Sequence, residues 1–554
     1  MIVGGGVTGA GAAVDAASRG LSVALIEARD LAAGTSSRSS KLVHGGLRYL
    51  EQLDLGLVHE ALQERGLLAT RLAPHLVRPM PFLLPLPRRR WKAGFERGYY
   101  GAGVALYDAF AGLVSGERGM PLHRHLGSGA ARRIFPSLRQ DTVGGAIRYY
   151  DAQVDDARLV ATLARTAASL GAVVVTSARA TTFLRSAREV TGVRVEDVES
   201  GETIDVAARA VVAATGVWSD DITEMLAAGG GPVRPGLRVR ASKGVHLVVP
   251  RRVITGDAGL ILRTEKSVLF VIPWGGHWII GTTDTDWQLD RAHPAASAKD
   301  IEYLLSQVNQ VLDRPISTND IEGVYAGLRP LLRGEDESTS ALSRTHAVVE
   351  PMLGLMLVAG GKLTTYRVMA ADVVDRVVRR LGGGRGSKTD QLPLLGADGY
   401  ERLWRERAAM AQRYGVSEGV AEHLLERYGS LGTEVLDLVA EDPALGGSLK
   451  GAPDYLAAEI AYAAAAEGAL HLEDALSRRT RISIETTHRG VESAEHAAEI
   501  MGAVLGWDAA QRQREVEHYL ARVDAELESQ TMPDDLTADA ARLGAPDPRA
   551  LTRG

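Results

Sequence analysis

The chain contains no cysteine. Disulfides, thiolate metal ligands, a redox-active CxxC pair and a flavin tethered through sulfur are therefore excluded, and a reducing cytosol suits the composition. Long apolar runs are also missing, since no uninterrupted stretch reaches the about 20 residues that span a bilayer. The best candidate, residues 101–114, is short and interrupted by Asp108. The start of the chain lacks the basic leader and apolar core of a secretory signal, so export by that route is not expected. Positive charge is not in excess: 63 Lys and Arg against 69 Asp and Glu give a net charge of -6, which argues against a nucleic-acid partner. Any anion site must be basic locally. No His-bearing cluster has metal-ligand spacing, and no GxSxG follows a strand, so neither a metal centre nor a serine nucleophile elbow is expected.

What is present fills 554 residues, enough for two or three domains. From Ile2 to Glu27 the pattern reads strand, glycine turn, alanine-rich helix and second strand, a compact βαβ unit whose first strand is short. A helix is expected from Asp155 to Leu170, and sheet strands at Val173 to Thr176 and Val211 to Ala214. Between Arg238 and Gly281 the alternation shortens to period two, as in Val245 to Val249 and Val268 to Ile272, which predicts an antiparallel sheet in a second domain. Leu363 to Leu381 reads as a helix returning to the first domain, ended by a glycine-rich linker at 382–386. After Thr389 the texture is Ala-, Glu-, Leu- and Arg-rich with helical periodicity, a separate all-helical domain fraying near its Pro-containing end.

Gly4-Gly5-Gly6-Val7-Thr8-Gly9 fits GxGxxG between a strand and a helix. Glycines there let backbone approach a pyrophosphate at the helix N-terminus, where free N–H groups and the dipole favour an anion. Glu27 follows Gly9 by 18 residues, where a carboxylate accepts both hydroxyls of an unphosphorylated ribose. This unit alone does not separate FAD from NAD. The next stretch, Thr35-Ser36-Ser37-Arg38-Ser39-Ser40-Lys41-Leu42-Val43-His44-Gly45-Gly46-Leu47-Arg48-Tyr49, is dense in hydroxyls and glycine and ends in donors suited to a flavin edge and an anionic substrate.

That stretch resembles the fingerprint of FAD-dependent glycerol-3-phosphate dehydrogenases, of the aerobic type in the D-amino-acid-oxidase-like flavoprotein superfamily. Further segments match in the same order: Ala213-Ala214-Thr215-Gly216-Val217-Trp218, Ser242-Lys243-Gly244-Val245-His246, Gly281-Thr282-Thr283-Asp284, Tyr325 to Leu331, Gly360-Gly361-Lys362-Leu363-Thr364-Thr365-Tyr366-Arg367, and a late signature at Glu473 to Arg481. Val217 stands where the family usually has proline. The fold implied is α/β plus α: a Rossmann-like FAD-binding domain (1–85 with 145–235 and 352–386), an antiparallel-sheet substrate domain (86–144 with 236–351), and a C-terminal all-helical domain (387–554).

The resemblance implies FAD contacts from Gly4, Gly6, Thr8, Gly9, Glu27, Thr35, Ser36, Ser37, Ser40, Lys41, Leu42, His44, Gly45, Gly46, Ala214, Thr215, Gly216, Gly361, Leu363 and Thr364. The turn at Gly360-Gly361-Lys362 precedes a helix whose N–H groups would stabilise negative charge on the reduced ring. A phosphate dianion needs fixed cations, for which Arg48, Arg329 and Lys362 are the candidates, with Tyr49 as a hydroxyl donor. Oxidising a secondary alcohol needs a base for the hydroxyl proton. His246 is the first candidate, with His44 nearer the flavin ring and Arg329 or a water as alternatives.

The reaction implied is sn-glycerol 3-phosphate to dihydroxyacetone phosphate with electrons passed to a quinone; an oxidase using oxygen is the nearest rival, and a non-catalytic flavin-binding module a more distant one. The location implied is cytoplasmic and peripheral on the inner face of the cell membrane, and the resemblance leaves a homodimer open. The basic, aromatic stretch from Arg88 to Phe110 suits membrane contact as an interfacial helix, though an ordinary surface helix accounts for the same pattern.

Overall fold

The computed structural model describes residues 1–46, 55–88, 120–230, 234, 236–264, 268–333 and 345–551. Of the expected membrane-contact segment only Arg88 is described, and Arg48 and Tyr49 lie outside the described residues.

The N-terminal unit forms as its sequence dictates. Strands Ile2–Val3 and Ala24–Ile26 run parallel, joined through the helix Val7–Ser18. The helix buries Ala10, Ala12, Ala13, Ala16 and Ala17, small residues that let it lie close against its neighbours. Gly9 and Gly11 take this furthest. A Cβ on Gly9 would sit 1.9 Å from the Gly4 carbonyl oxygen, and one on Gly11 would sit 2.8 Å from the Tyr366 ring. The six-stranded sheet runs in the order His346–Met352, Leu355–Gly360, Val211–Ala213, Ile2–Val3, Ala24–Ile26, Val173–Val175. It is parallel except for the edge hairpin formed by its first two members. Helices Val7–Ser18, Asp156–Ser169 and Tyr366–Arg380 contribute to one core cluster with Leu25, Val212 and Val358. On the other face a three-stranded antiparallel sheet sets Phe183, Val190 and Val193 against Val3, Ile26 and Leu357.

The second sheet is larger and mixed, which corrects the expectation of a purely antiparallel one: Gly259–Arg263 pairs parallel to Arg78–Pro87. Towards one end of this sheet the strand Val239–Pro250 is paired on both sides, so that His246 lies opposite Tyr325 on one flank and Gly281 on the other. Leu42–Val43, Arg78–Pro87 and Val143–Gln153 also belong to this sheet, and His346–Met352 belongs to the first. The pairings are long-range, so local periodicity does not carry them.

The C-terminal region is helical except for one hairpin, Ser448–Leu449 with Ala452–Leu456, which the all-helical reading lacked. Its core gathers Ile460, Leu472, Leu476, Met501 and Tyr519. Buried ion pairs fasten it to the body: Asp30 accepts from Arg478 and from Arg479 at 2.6 Å, and Arg481 pairs with Asp155 at 2.6 Å. The end of the chain is not frayed through Arg549. Arg549 is 4 % exposed and donates to Asp474 and the Ser177 hydroxyl, both at 2.9 Å, while Asp547 pairs with Arg29 at 3.1 Å. Among the described residues no helix is long and apolar enough to cross a membrane.

Candidate active site

A cavity of about 720 Å³ opens between the two sheets, within the range of cofactor sites. One end is walled by Gly4, Gly6, Thr8, Glu27, Ala214, Thr215 and Gly216. Gly4 has φ +110°, and a Cβ there would lie 2.6 Å from the Ala214 oxygen, so only glycine fits. Gly216 has φ +56° with open space where a Cβ would point. The Glu27 carboxylate accepts the N–H groups of Gly5 at 2.6 Å and Arg29 at 2.9 Å. Burial raises its pKa and these bonds oppose the rise. Two backbone donors thus aim it while leaving lone pairs for ribose hydroxyls.

The hydroxyl-rich loop forms the next part of the wall. Thr35 Oγ1 donates to the Leu328 carbonyl at 2.7 Å, and Ser36 Oγ accepts the Val7 N–H at 3.1 Å. Thr35, Ser36, Ser40, Leu42, His44 and Gly46 line the cavity. Gly9, Ser37, Lys41, Gly45 and Thr364 stand behind it. For Lys41 this departs from the expected cofactor contact. It adopts φ +57°, which turns its side chain inward, and Nζ donates to the Ser37 carbonyl at 2.5 Å and pairs with Asp156 at 2.6 Å. Burial, with Arg481 nearby, lowers its pKa to about 8. Thr364 acts at one remove: its hydroxyl accepts the His44 N–H and donates to the His44 carbonyl, both at 3.1 Å.

At the other end stand Arg329, Lys362, Gly361, Leu363, His246 and Asp284. Arg329 Nη2 donates to Thr282 Oγ1 at 2.9 Å and to the Thr283 carbonyl at 3.1 Å, and Nη1 lies 3.7 Å from Asp284 Oδ1. Ser242, which accepts from Arg329 at 3.3 Å, donates in turn to Asp284. The guanidinium is thereby fixed in orientation with part of its surface left to the cavity. Gly360 and Gly361 have φ +80° and +77°, and the helix they precede begins at Tyr366 rather than Leu363. Lys362 to Thr365 form a tight turn, with the Thr365 N–H on the Lys362 carbonyl at 3.2 Å.

His246 is 2 % exposed. Its Nε2 shares a hydrogen bond with Ser40 Oγ at 2.8 Å, and its ring stacks on Tyr325 with centroids 4.7 Å apart and planes at 10°. Burial first, then the charges of Arg329 and Lys41, hold its pKa well below 6.5. The imidazole is neutral at neutral pH, the form a general base requires.

A family model described as FAD dependent oxidoreductase matches residues 1–367, and one described as C-terminal domain of alpha-glycerophosphate oxidase matches residues 387–512. Glycerol-3-phosphate dehydrogenase 2 of Mycobacterium tuberculosis is 55% identical over 551 residues, covering 99% of this chain and 92% of that protein. The chain belongs to the FAD-dependent glycerol-3-phosphate dehydrogenase family. The human mitochondrial glycerol-3-phosphate dehydrogenase is 35% identical, over 93% of this chain and 72% of its own. The solved glycerol-3-phosphate dehydrogenase of Bacillus halodurans, complexed with FAD, superposes with a TM-score of 0.76 at 27% identity, covering 94% of each chain.

As a member of this family the protein is an FAD-dependent enzyme, and its cavity suits that cofactor. The glycine-walled end admits a close backbone, Glu27 is aimed by its own main chain, and the wall continues into the Gly360-Gly361 turn. Sequence reasoning about the dehydrogenase family omitted Ser242, Thr282 and Asp284 as site residues, although they sit inside quoted motifs. It also omitted Arg38, which lines the cavity from within the hydroxyl loop. Only the fold reveals which way each side chain of that loop turns.

Proposed function

We propose that this protein oxidises sn-glycerol 3-phosphate to dihydroxyacetone phosphate and delivers the electron pair to a quinone. The observation that carries this reading is a cation fixed in the wall of the cavity: Arg329, clamped by Thr282, Thr283 and Asp284. It suits an anionic substrate end. Lys362 lines the same cavity, and Arg48 and Tyr49 complete the anion subsite in this reading.

Bound FAD supplies the hydride acceptor. The chain's own part is to orient the alcohol and to take its proton. His246, neutral and held by Ser40 and the Tyr325 ring, receives the hydroxyl proton as the C–H hydride leaves. Ser40 fixes which ring nitrogen is engaged, and the aromatic stack keeps the ring plane constant. The substrate loses two electrons and two protons, and a quinone that takes up both becomes a quinol. The cytoplasmic, membrane-peripheral location belongs to the same reading, because a quinone acceptor resides in the bilayer.

Product analysis tests the acceptor. The FAD-loaded protein given glycerol 3-phosphate and a soluble quinone in air should form quinol in step with dihydroxyacetone phosphate, with little peroxide. Peroxide equal to the substrate consumed, with the quinone untouched, would make it an oxidase. No consumption at all would leave a flavin-binding module.

A further inference from the structure

A second cavity, of about 70 Å³, lies where the helical domain meets the cofactor loop. Its size admits one or two waters or a single small anion. Arg38 reaches it from the loop, and Arg489, Arg522 and Arg542 from the helical domain, and among the described residues the carboxylates lining it are Glu473 and Glu526. Arg478 and Arg481 also border it, but Asp30, Asp474, Asp155 and Asp156 neutralise them from behind.

The four remaining guanidiniums share two carboxylates, so positive charge is left in excess. Arg489 pairs with Glu526 at 3.0 Å and Arg522 with Glu473 at 3.3 Å. Glu473 also pairs with Arg478 at 3.2 Å, so both carboxylates are already engaged. Arg542, 6 % exposed, only reaches Glu526 at 4.0 Å, and its buried Nη1 has no hydrogen-bond partner. Arg38 donates to the Ala292 carbonyl at 3.2 Å, and among the described residues no carboxylate pairs with it. His293, which also borders the cavity, is neutral, its pKa kept well below 6.5 by burial and by Arg29. Burial and cationic neighbours, opposed in part by Glu473 and Glu526, push Arg38 down to about 9 and Arg542 down to about 10. Buried positive charge without a counter-charge is costly, and water supplies an acceptor but no charge.

We infer that this cavity is a binding site for a small oxyanion of the phosphate or sulfate class, which joins the helical domain to the cofactor loop. Arg542 Nη1 and the Arg38 guanidinium are its principal donors, and fork-shaped donors match tetrahedral oxyanions. The site is separate from the catalytic cavity, and the inference holds whichever electron acceptor the enzyme uses. Arg38 lines each cavity, and Tyr325, which borders the second, stacks on His246 of the first.

The test compares melting midpoints of the FAD-loaded protein in inorganic phosphate, in sulfate and in chloride at equal ionic strength. Phosphate and sulfate should raise the midpoint by about 2–5 °C over chloride. Arg542→Met should abolish that rise, whereas Arg329→Ala, in the catalytic cavity, should keep it. No oxyanion-specific rise would mean that the cavity holds only water. A rise lost in Arg329→Ala and kept in Arg542→Met would place phosphate in the catalytic cavity alone; either result overturns the inference. Should Arg542→Met not fold, equilibrium dialysis of phosphate against the wild-type holoenzyme with saturating glycerol 3-phosphate decides. One retained equivalent supports the site, and none refutes it.

Discussion

Gly244→Ala tests the placement of Arg329 without touching a charged group. Gly244 lies on the strand Val239–Pro250 directly across from Gly327. A Cβ added there would stand 2.5 Å from Arg329 Nη2, 3.0 Å from its Cζ and 2.5 Å from Thr282 Oγ1. The backbone cannot retreat, because this strand is paired on both flanks. The movable group is the end of the arginine, which must leave Thr282 and Thr283. Hydrogen bonds to charged groups contribute about 1.5–3 kcal/mol, so losing the phosphate-facing pose should lower kcat/KM roughly 10- to 150-fold. FAD content should stay near that of the wild type, since Gly244 lies in a strand of the second sheet whereas Gly4 and Glu27 follow strands of the first. Steady-state quinone reduction measures the loss, and visible flavin absorbance per mole of protein measures the cofactor. In an Arg329→Ala background the same substitution should change kcat/KM by less than about threefold, because the interaction it disturbs is already gone. Full activity in Gly244→Ala, or an equal loss in both backgrounds, would refute the reasoning.

His246→Gln should lower kcat by about 10²–10⁴-fold with FAD retained; the wild-type rate should show no ionisation of this group through the neutral range, because burial keeps its pKa well below 6.5, and a variant near wild-type rate would remove it as base. Lys41→Met leaves Asp156 short of one buried partner, so it should cost about 3–5 kcal/mol of stability, seen in denaturant unfolding; unchanged stability with weakened FAD binding would restore the direct cofactor role. His471 sits between Glu199 at 3.0 Å and Glu515 at 2.8 Å, with Asp474 and Arg549 close by. Burial disfavours its charge, but these carboxylates outweigh that and raise its pKa to about 10. The stabilisation is complete below pH 6.5 and is lost as pH rises through about 10. At about 1.4 kcal/mol per pH unit the loss is at most about 5 kcal/mol, and His471→Gln should flatten the melting-midpoint profile over that window; an unchanged slope would count against it.

The dinucleotide end was legible because its parts are local. The strand, the glycine turn, the helix and Glu27 fall within 27 residues, and each residue type has one conformational reason to be there. Arg329 and His246 were legible only through motifs, as nothing local says that a strand starting at Val239 and another starting at Gly323 will pair Ser242 with Arg329. The strand Arg78–Pro87 carries four prolines, which read against a sheet position. The orientation of Lys41 depends on a left-handed backbone angle and on Asp156, 115 residues away. The buried C-terminal turn at Asp547 and Arg549 likewise owes its order to Arg29, Ser177 and Asp474, partners that only the tertiary fold assembles.

The central claim is that one cavity holds FAD beside a fixed cation that selects a phosphorylated alcohol. Anaerobic titration of the FAD-loaded protein measures it most directly. Glycerol 3-phosphate should bleach the visible flavin band at one equivalent per site, while unphosphorylated glycerol at the same concentration leaves it yellow. Equal bleaching by both compounds, or none by either, would contradict the account.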